Sequence, residues 1–319
     1  MFDPVTIDLI SAAPPLSSLD LEELPRRFTN AFAEIVAARV RLRGAADAEG
    51  RSEILVELLD QMRRLAAAQE LLVATAPERA DRVAAAFVAG TAHQLCLMAE
   101  VVSEERASYI DAIRAAPEIC STLLFLIADS QSDAAEMAKR LVSKADDMSA
   151  ESQLIKAIGD LAAGRLGTIV EQADEPKYAR PADRSGPGLA VDALLRRLHK
   201  GVIQLAREVL SRPVYDPKMG EHSPAQKIFS EVIGLCIAPI DSVFDANGPS
   251  AVSIFPGPLH VGKLLLAASG NLAAAGLCRV LAPSGIDENQ WWHVIRRAAG
   301  KRPYLWRNHR EALEKGFLL

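Results

Sequence analysis

The stretch Ser52–Pro77, SEILVELLDQMRRLAAAQELLVATAP, decides the fold class. Leu55, Leu58, Leu59, Met62, Leu65 and Leu72 recur at intervals of three and four, which gathers them on one face of a helix; a strand would alternate every second residue. Ala, Leu, Met, Glu, Gln and Arg lose little side-chain freedom in a helix. Ser52 can cap the start, and Pro77 cannot continue the run. A helix with one apolar stripe needs other elements to cover it.

The same period continues on both sides. Toward the N-terminus, Asp20 and Glu23 resemble a capping box, and Phe28, Phe32, Ile35, Val36 and Val40 carry an amphipathic pattern to Gly44. Toward the C-terminus a third helix is predicted from about Glu78, past Val83, Phe87, Leu95 and Met98, to about Val102. Three long helices joined by short turns imply an antiparallel bundle. Pro117–Ala128 is short and apolar, ambiguous between strand and buried helix, and its helical neighbours favour helix. Further helices are expected over Ser130–Lys144, Ser149–Ala163, Leu189–Leu210, Ala225–Cys236, Lys263–Leu281 and Glu288–Ala299. Lys263–Leu281 is apolar on most faces, which places it centrally. Pro213–Pro224 reads as a loop, and Ala251–Phe255 is a β-like island between Gly-Pro turns. Residues 172–188, QADEPKYARPADRSGPG, carry three prolines and two glycines and no apolar period. The fold class is therefore all-α, a multi-helical bundle or array in two parts with at most one short isolated strand. Its parts are an N-terminal helical bundle over 1–175, a linker over 176–188 and a second helical domain over 189–300.

Composition narrows the function classes. Half of the 319 residues are apolar and 24% are charged, as in ordinary globular proteins. A formal charge of −5 gives no global attraction for phosphate backbones, so any nucleic-acid contact has to be local. Cys96, Cys120, Cys236 and Cys278 are far apart and form no CxxC pair; they read as buried reduced thiols. The opening MFDPVTIDLISAAPPL has acids where a signal peptide needs bases and reads as part of the fold. Leu264–Cys278 is too short and too mild to span a bilayer. The cytoplasm is the expected setting, with no membrane partner.

No complete catalytic or metal motif is present, so no catalytic residue and no metal ligand is assigned. Gly257–Leu264, GPLHVGKL, follows the spacing GxxxxGK of a nucleotide-binding loop, but Leu264 stands where Ser or Thr holds magnesium and Pro258 lacks an N–H. It reads as a helix-entry turn, with Gly262 allowing close approach. His93 and Cys96 lie one helical turn apart, a base beside a thiol, yet their face is rich in Ala and Leu and reads as core. The other histidines form no HExxH spacing, and no ExxH occurs for a carboxylate-bridged metal pair. Acidic first turns such as Asp20, Glu22 and Glu23, or Glu100, Glu104 and Glu105, read as solvated surface.

All three tryptophans fall in the last 29 residues, among seven Lys/Arg and only two acids, Glu311 and Glu314. Trp291, Trp292, Arg296, Arg297, Arg302, Arg307 and Arg310 are the candidate interface. Aromatic faces stack on bases while cations neutralise phosphates, and Trp and Arg equally anchor protein interfaces.

The tail Arg302–Leu318, RPYLWRNHREALEKGFL, resembles the entry to the ATPase core of superfamily 2 (DEAD/DEAH-box type) helicases. Leu305 falls on the leading Leu of L-x-x-x-Q-x-x-A-hydrophobic, Ala312 and Leu313 fall on its closing pair, and His309 stands where the Gln is expected. The resemblance implies that 301–319 begins the helicase core, that Trp306 and His309 meet the adenine of ATP there, and that ATP and magnesium belong to the core. The preceding residues are similar in a general way to helical N-terminal extensions of large bacterial helicases, some of which serve antiviral defence. A noncatalytic accessory domain of a DNA/RNA helicase, docking beside the ATPase core and binding nucleic acid or a partner protein, is the expected function. The alternative is a stand-alone helical scaffold or adaptor.

Overall fold

A computed structural model describes residues 18–44, 51–99, 108–141, 148–171, 177–179, 185–212, 222–239, 251–282 and 284–315. The fold is all-α. Helices α1 (Ser18–Gly44), α2 (Arg51–Thr75) and α3 (Arg79–Ala99) come first. They are followed by α4 (Pro117–Ile127), α5 (Gln131–Ala138), α6 (Ala150–Ala162), α7 (Leu166–Val170), α8 (Gly186–Val209) and α9 (Pro224–Leu235). Helices α10 (Pro256–Ala275), α11 (Glu288–Ala299) and α12 (Arg307–Glu314) are the last among the described residues, with a 3-10 turn at Leu277–Arg279.

Helix α1 turns Leu24, Phe28, Ala31, Ile35 and Ala38 inward, a three-four spacing; Ala31, Ile35 and Ala38 pack with Leu58, Met62 and Ala66 of α2 and Val88, Ala92, Leu95 and Cys96 of α3, while Leu24 and Phe28 join the main core. Phe32, Val36 and Val40, expected on that stripe, are exposed instead, because a run of four-residue steps winds round the helix away from the seam. Helix α3 packs closely on α4 because its facing residues are small. Ala85, Ala86 and Ala89 are fully buried, and Ser121 of α4 donates to the Gly90 carbonyl at 2.8 Å. Every residue of α4 from Ile119 to Ile127 is buried, which explains its continuous apolar run. A central apolar α10 covers α4, and α8 and α9 pack beside it. One continuous core therefore draws Ile119, Leu123 and Leu154 from before residue 180 and Leu198, Leu205, Phe229 and Leu264 from after it.

The helix ends follow local chemistry. Ser149 accepts from the Ser152 N–H, Ser185 from Gly188, and Asp287 from Asn289 and Gln290, while Ser223 and Gln226 form a full capping box. Helix α2 starts at Arg51, one residue before the Ser52 expected to cap it. Helix α10 starts at Pro256, seven residues before Lys263, so GPLHVGKL lies inside its first turns; prolines fit there because the first N–H groups have no helical partner. The β-like island is a strand over Ala251–Ser253, and it pairs antiparallel with Ile237–Pro239, residues read as following a helix end. Helix α5 ends at Ala138, short of the expected Lys144, and α8 begins at Gly186, inside the expected linker. Residues 1–17, 100–107, 142–147, 172–176, 180–184 and 213–221 lie outside the described residues; with them go the opening segment, the expected end of α3, the acids Glu100, Glu104 and Glu105, much of the linker stretch and most of the Pro213–Pro224 loop.

Candidate functional site

Two places gather chemistry. The first is the C-terminal surface. Helix α11 is amphipathic, burying Ile295 and Ala299 against Cys278 while Arg296, Arg297 and Val294 face out. Trp291 is half-buried and donates its indole N–H to the Val280 carbonyl at 3.0 Å. Trp292 lies under the Arg212 guanidinium, 4.9 Å from ring centroid to carbon. Both tryptophans thus pack α11 onto the chain. Arg296, Arg297, Lys301 and Arg302 are exposed and, among the described residues, none forms an ion pair. On a chain with formal charge −5, four exposed cations close in sequence make a local positive patch.

The segment after α11 threads back into the fold. The Leu277 N–H donates to the Pro303 carbonyl at 2.7 Å and the Leu305 N–H to the Ala275 carbonyl at 2.8 Å. The Tyr304 hydroxyl donates to the Leu161 carbonyl at 3.0 Å, and Pro303 is buried against Gly164, which turns the chain at φ +71°. Helix α12 is then held by an ion pair between Arg310 and Asp129, the latter at φ 60° in the turn after α4. Trp306 is 62% exposed and stacks on His309 with ring centroids 6.1 Å apart and planes 12° from parallel. Trp306 borders a cleft of about 410 Å³ that is also lined by Asp129, Ser130, Gln131, Arg307 and Glu311, and His309 does not line it. An imidazole carries its two nitrogens on different edges, so His309 cannot present donor and acceptor side by side to a base as a Gln amide does. Arg307 is paired with Glu311 at 2.9 Å.

The second place is buried where α2, α3, α4 and α10 meet. Glu70, 2% exposed, takes the Nε2 of His93 on one carboxylate oxygen and the Nε2 of His260 on the other, both at 2.7 Å. The other ring nitrogen of His260, Nδ1, lies 3.8 Å from the Cys120 sulfur. Burial first, and then the nearby His93 and Lys263, hold the His260 imidazole well below the usual histidine range. Burial also pushes the Cys120 thiol up to about 12, with Glu118 adding to the effect. The contacts are hydrogen bonds, because ligands around a tetrahedral metal with ~2.0 Å bonds sit about 3.3 Å apart. Among the described residues no group of three or more His, Cys, Asp or Glu side chains is arranged to hold a metal ion.

The face of His93 and Cys96 reads as core, and Cys96 is fully buried among α1, α2 and α3; His93 turns instead to Glu70, a partner the sequence does not suggest. Sequence reasoning missed the cluster because Glu70 and His260 are 190 residues apart. The available signal was a lone acid directly after Gln69 on the stripe of Met62, Ala66 and Val73, a charge placed where the periodicity puts core. The glycine spacing of GPLHVGKL serves packing. An added Cβ at Gly257 would lie 2.1 Å from the Asp111 carbonyl oxygen, whereas at Gly262 the nearest atom is an ordinary 3.4 Å away, so the close approach expected at Gly262 belongs to Gly257.

All four cysteines are free and buried. Among the described residues no helix is long and apolar enough to cross a membrane. No family model matches the chain, and no curated protein and no solved structure matches it either.

Proposed function

We propose that this chain is a noncatalytic helical accessory module whose C-terminal surface meets a nucleic-acid strand beside a helicase-type ATPase core. The observation that carries the reading is the run of exposed Arg296, Arg297, Lys301 and Arg302, without ion pairs among the described residues, on an acidic chain. Leaving such cations together costs self-repulsion, which a polyanion relieves by releasing its own counterions. The exposed Trp306 adds a π-face of the kind that stacks on bases. ATP and magnesium would belong to the neighbouring core, and no residue here is assigned to them. A cytoplasmic setting fits both a motor on nucleic acid and free thiols.

The test is charge reversal at Arg296, Arg297 and Arg302 in the full chain. Binding to a short single-stranded oligonucleotide is expected to weaken at least tenfold, and the slope of log affinity against log salt to shrink by about two to three. Unchanged affinity and slope would remove the patch from any nucleic-acid role. A second reading, a stand-alone helical scaffold or adaptor, is favoured by the docking of Pro303–Leu305 into the fold through Tyr304. It expects no oligonucleotide binding by the wild type.

A further inference from the structure

The geometry points to a second device, remote from the C-terminal surface: Glu70, His93, His260 and Cys120 form a proton-operated latch that clamps α2 and α3 onto α4 and α10 at neutral pH and releases them in acid. Its parts come from four helices that share a largely apolar core, and Glu70 to His260 ties two residues 190 apart in sequence. With Glu70 ionised, both imidazoles donate Nε2–H to it, so each oxygen of a buried carboxylate is satisfied. His260 is then neutral, and its Nδ1 lone pair faces the Cys120 thiol at 3.8 Å. The thiol has a second acceptor, the Ala115 carbonyl at 3.9 Å, so its proton can point either way.

Acid disturbs this arrangement at the imidazoles, and at His260 the atom is fixed. An added proton on His260 has only Nδ1 to occupy. The resulting charge sits among His93 from α3 and Lys263 from its own helix, with Glu70 from α2 as the compensating charge and Glu118 behind Cys120 on α4. Burial opposes the charged ring most of all. The closed cluster therefore binds fewer protons than the opened one, and by linkage its stability falls as pH drops below the ordinary histidine value of about 6.5. The rings have a way out, since the side chains of His93 and His260 are 14% and 20% exposed while that of Glu70 is 3%. Opening carries the His260 imidazole to water and uncovers the thiol beneath it.

Cys120 is therefore the reporter. The whole protein is treated with 4,4′-dithiodipyridine, which stays reactive in acid, and each cysteine is followed by peptide mass mapping, with rates corrected for thiol ionisation against free cysteine. Between about pH 7.5 and about pH 5, labelling of Cys120 is expected to rise about 30-fold relative to buried Cys236 and Cys278, the factor by which an opened imidazole of ordinary pKa is favoured. The double variant His93→Gln, His260→Gln is expected to lose this rise. Cys120 and Cys236 rising together would mean global acid unfolding and would overturn the latch, as would a rise that persists in the double variant. Should the double variant fail to fold, the wild-type ratio of Cys120 to Cys236 decides alone.

Discussion

Gly257 and Gly262 sit in one helix and make opposite demands. Gly257→Ala drives a methyl group into the Asp111 carbonyl at 2.1 Å, a backbone obstacle that cannot rotate aside, and is expected to destabilise by about 3 kcal/mol or more in denaturant unfolding. Gly262→Ala meets nothing closer than 3.4 Å and gains helix propensity, so it is expected to be neutral or stabilising by up to about 1 kcal/mol. A nucleotide loop would show the reverse concern, since it needs small residues near the phosphate. His199 supplies a second residue-scale expectation. It is fully buried, shares a 2.9 Å hydrogen bond with the Tyr178 hydroxyl, and leaves its Nε2 without a partner among the described residues. Burial lowers its pKa from 6.5 to about 4. The unfolded chain takes up that proton first, so stability present above pH 6.5 is lost as pH falls toward 4, by about 3 kcal/mol at most. His199→Phe is expected to flatten this limb in chemical-denaturation curves measured from pH 7 to about pH 4; an unchanged slope would assign the loss to other groups. Glu70 and His260 show the limit of sequence at this scale. A buried charge is visible as a break in apolar period, but its partner comes from packing, which no local pattern records.

Most helices were legible because each presents a stripe at three- and four-residue spacing, and α11 runs over the expected Glu288–Ala299. The starts were less legible. Pro256-Gly257-Pro258 reads as turn chemistry, yet the same residues suit the first turn of α10, and only the contact with Asp111 separates the two readings. Ile237–Pro239 was illegible as a strand because three residues carry no period, and its pairing with Ala251–Ser253 is non-local. Helix α12 belongs to this scale too. Its side-chain anchor is the pair between Arg310 and Asp129, whose side chains are 11% and 4% exposed. Asp129→Asn keeps a residue tolerant of φ 60° and removes the charge. It is expected to raise hydrogen exchange of 307–315 at least tenfold while leaving α4 and α10 protected; equal protection throughout would show that α12 is held by other contacts.

Over the whole molecule, the division at residues 176–188 expected from proline and glycine content can be put to a direct experiment. The core joins Leu154 and Ile158 of α6 to Leu198 and Leu205 of α8, and Ile119 of α4 to Leu264 of α10. A fragment ending at residue 179 leaves those faces of α4 and α6 uncovered, and it is expected to melt broadly and bind hydrophobic dye. A sharp, cooperative melt would show that the first part folds alone. The candidate C-terminal surface was legible as composition, since aromatic and basic residues crowd into one segment. Its division of labour was not: Trp291 and Trp292 pack α11 in place, whereas Trp306 stands exposed, and only the fold assigns those roles.

That arrangement supplies its own probe, because the protein's tryptophans all lie between residues 291 and 306, so tryptophan emission, selected apart from that of the tyrosines, reports on this surface. The chain is titrated with single-stranded oligonucleotide at low salt while tryptophan fluorescence is recorded. A nucleic-acid contact requires saturable quenching that disappears at high salt and is mostly lost in Trp306→Phe. Emission that stays constant while the oligonucleotide remains free in solution would contradict a nucleic-acid role for this surface and leave the scaffold reading in its place.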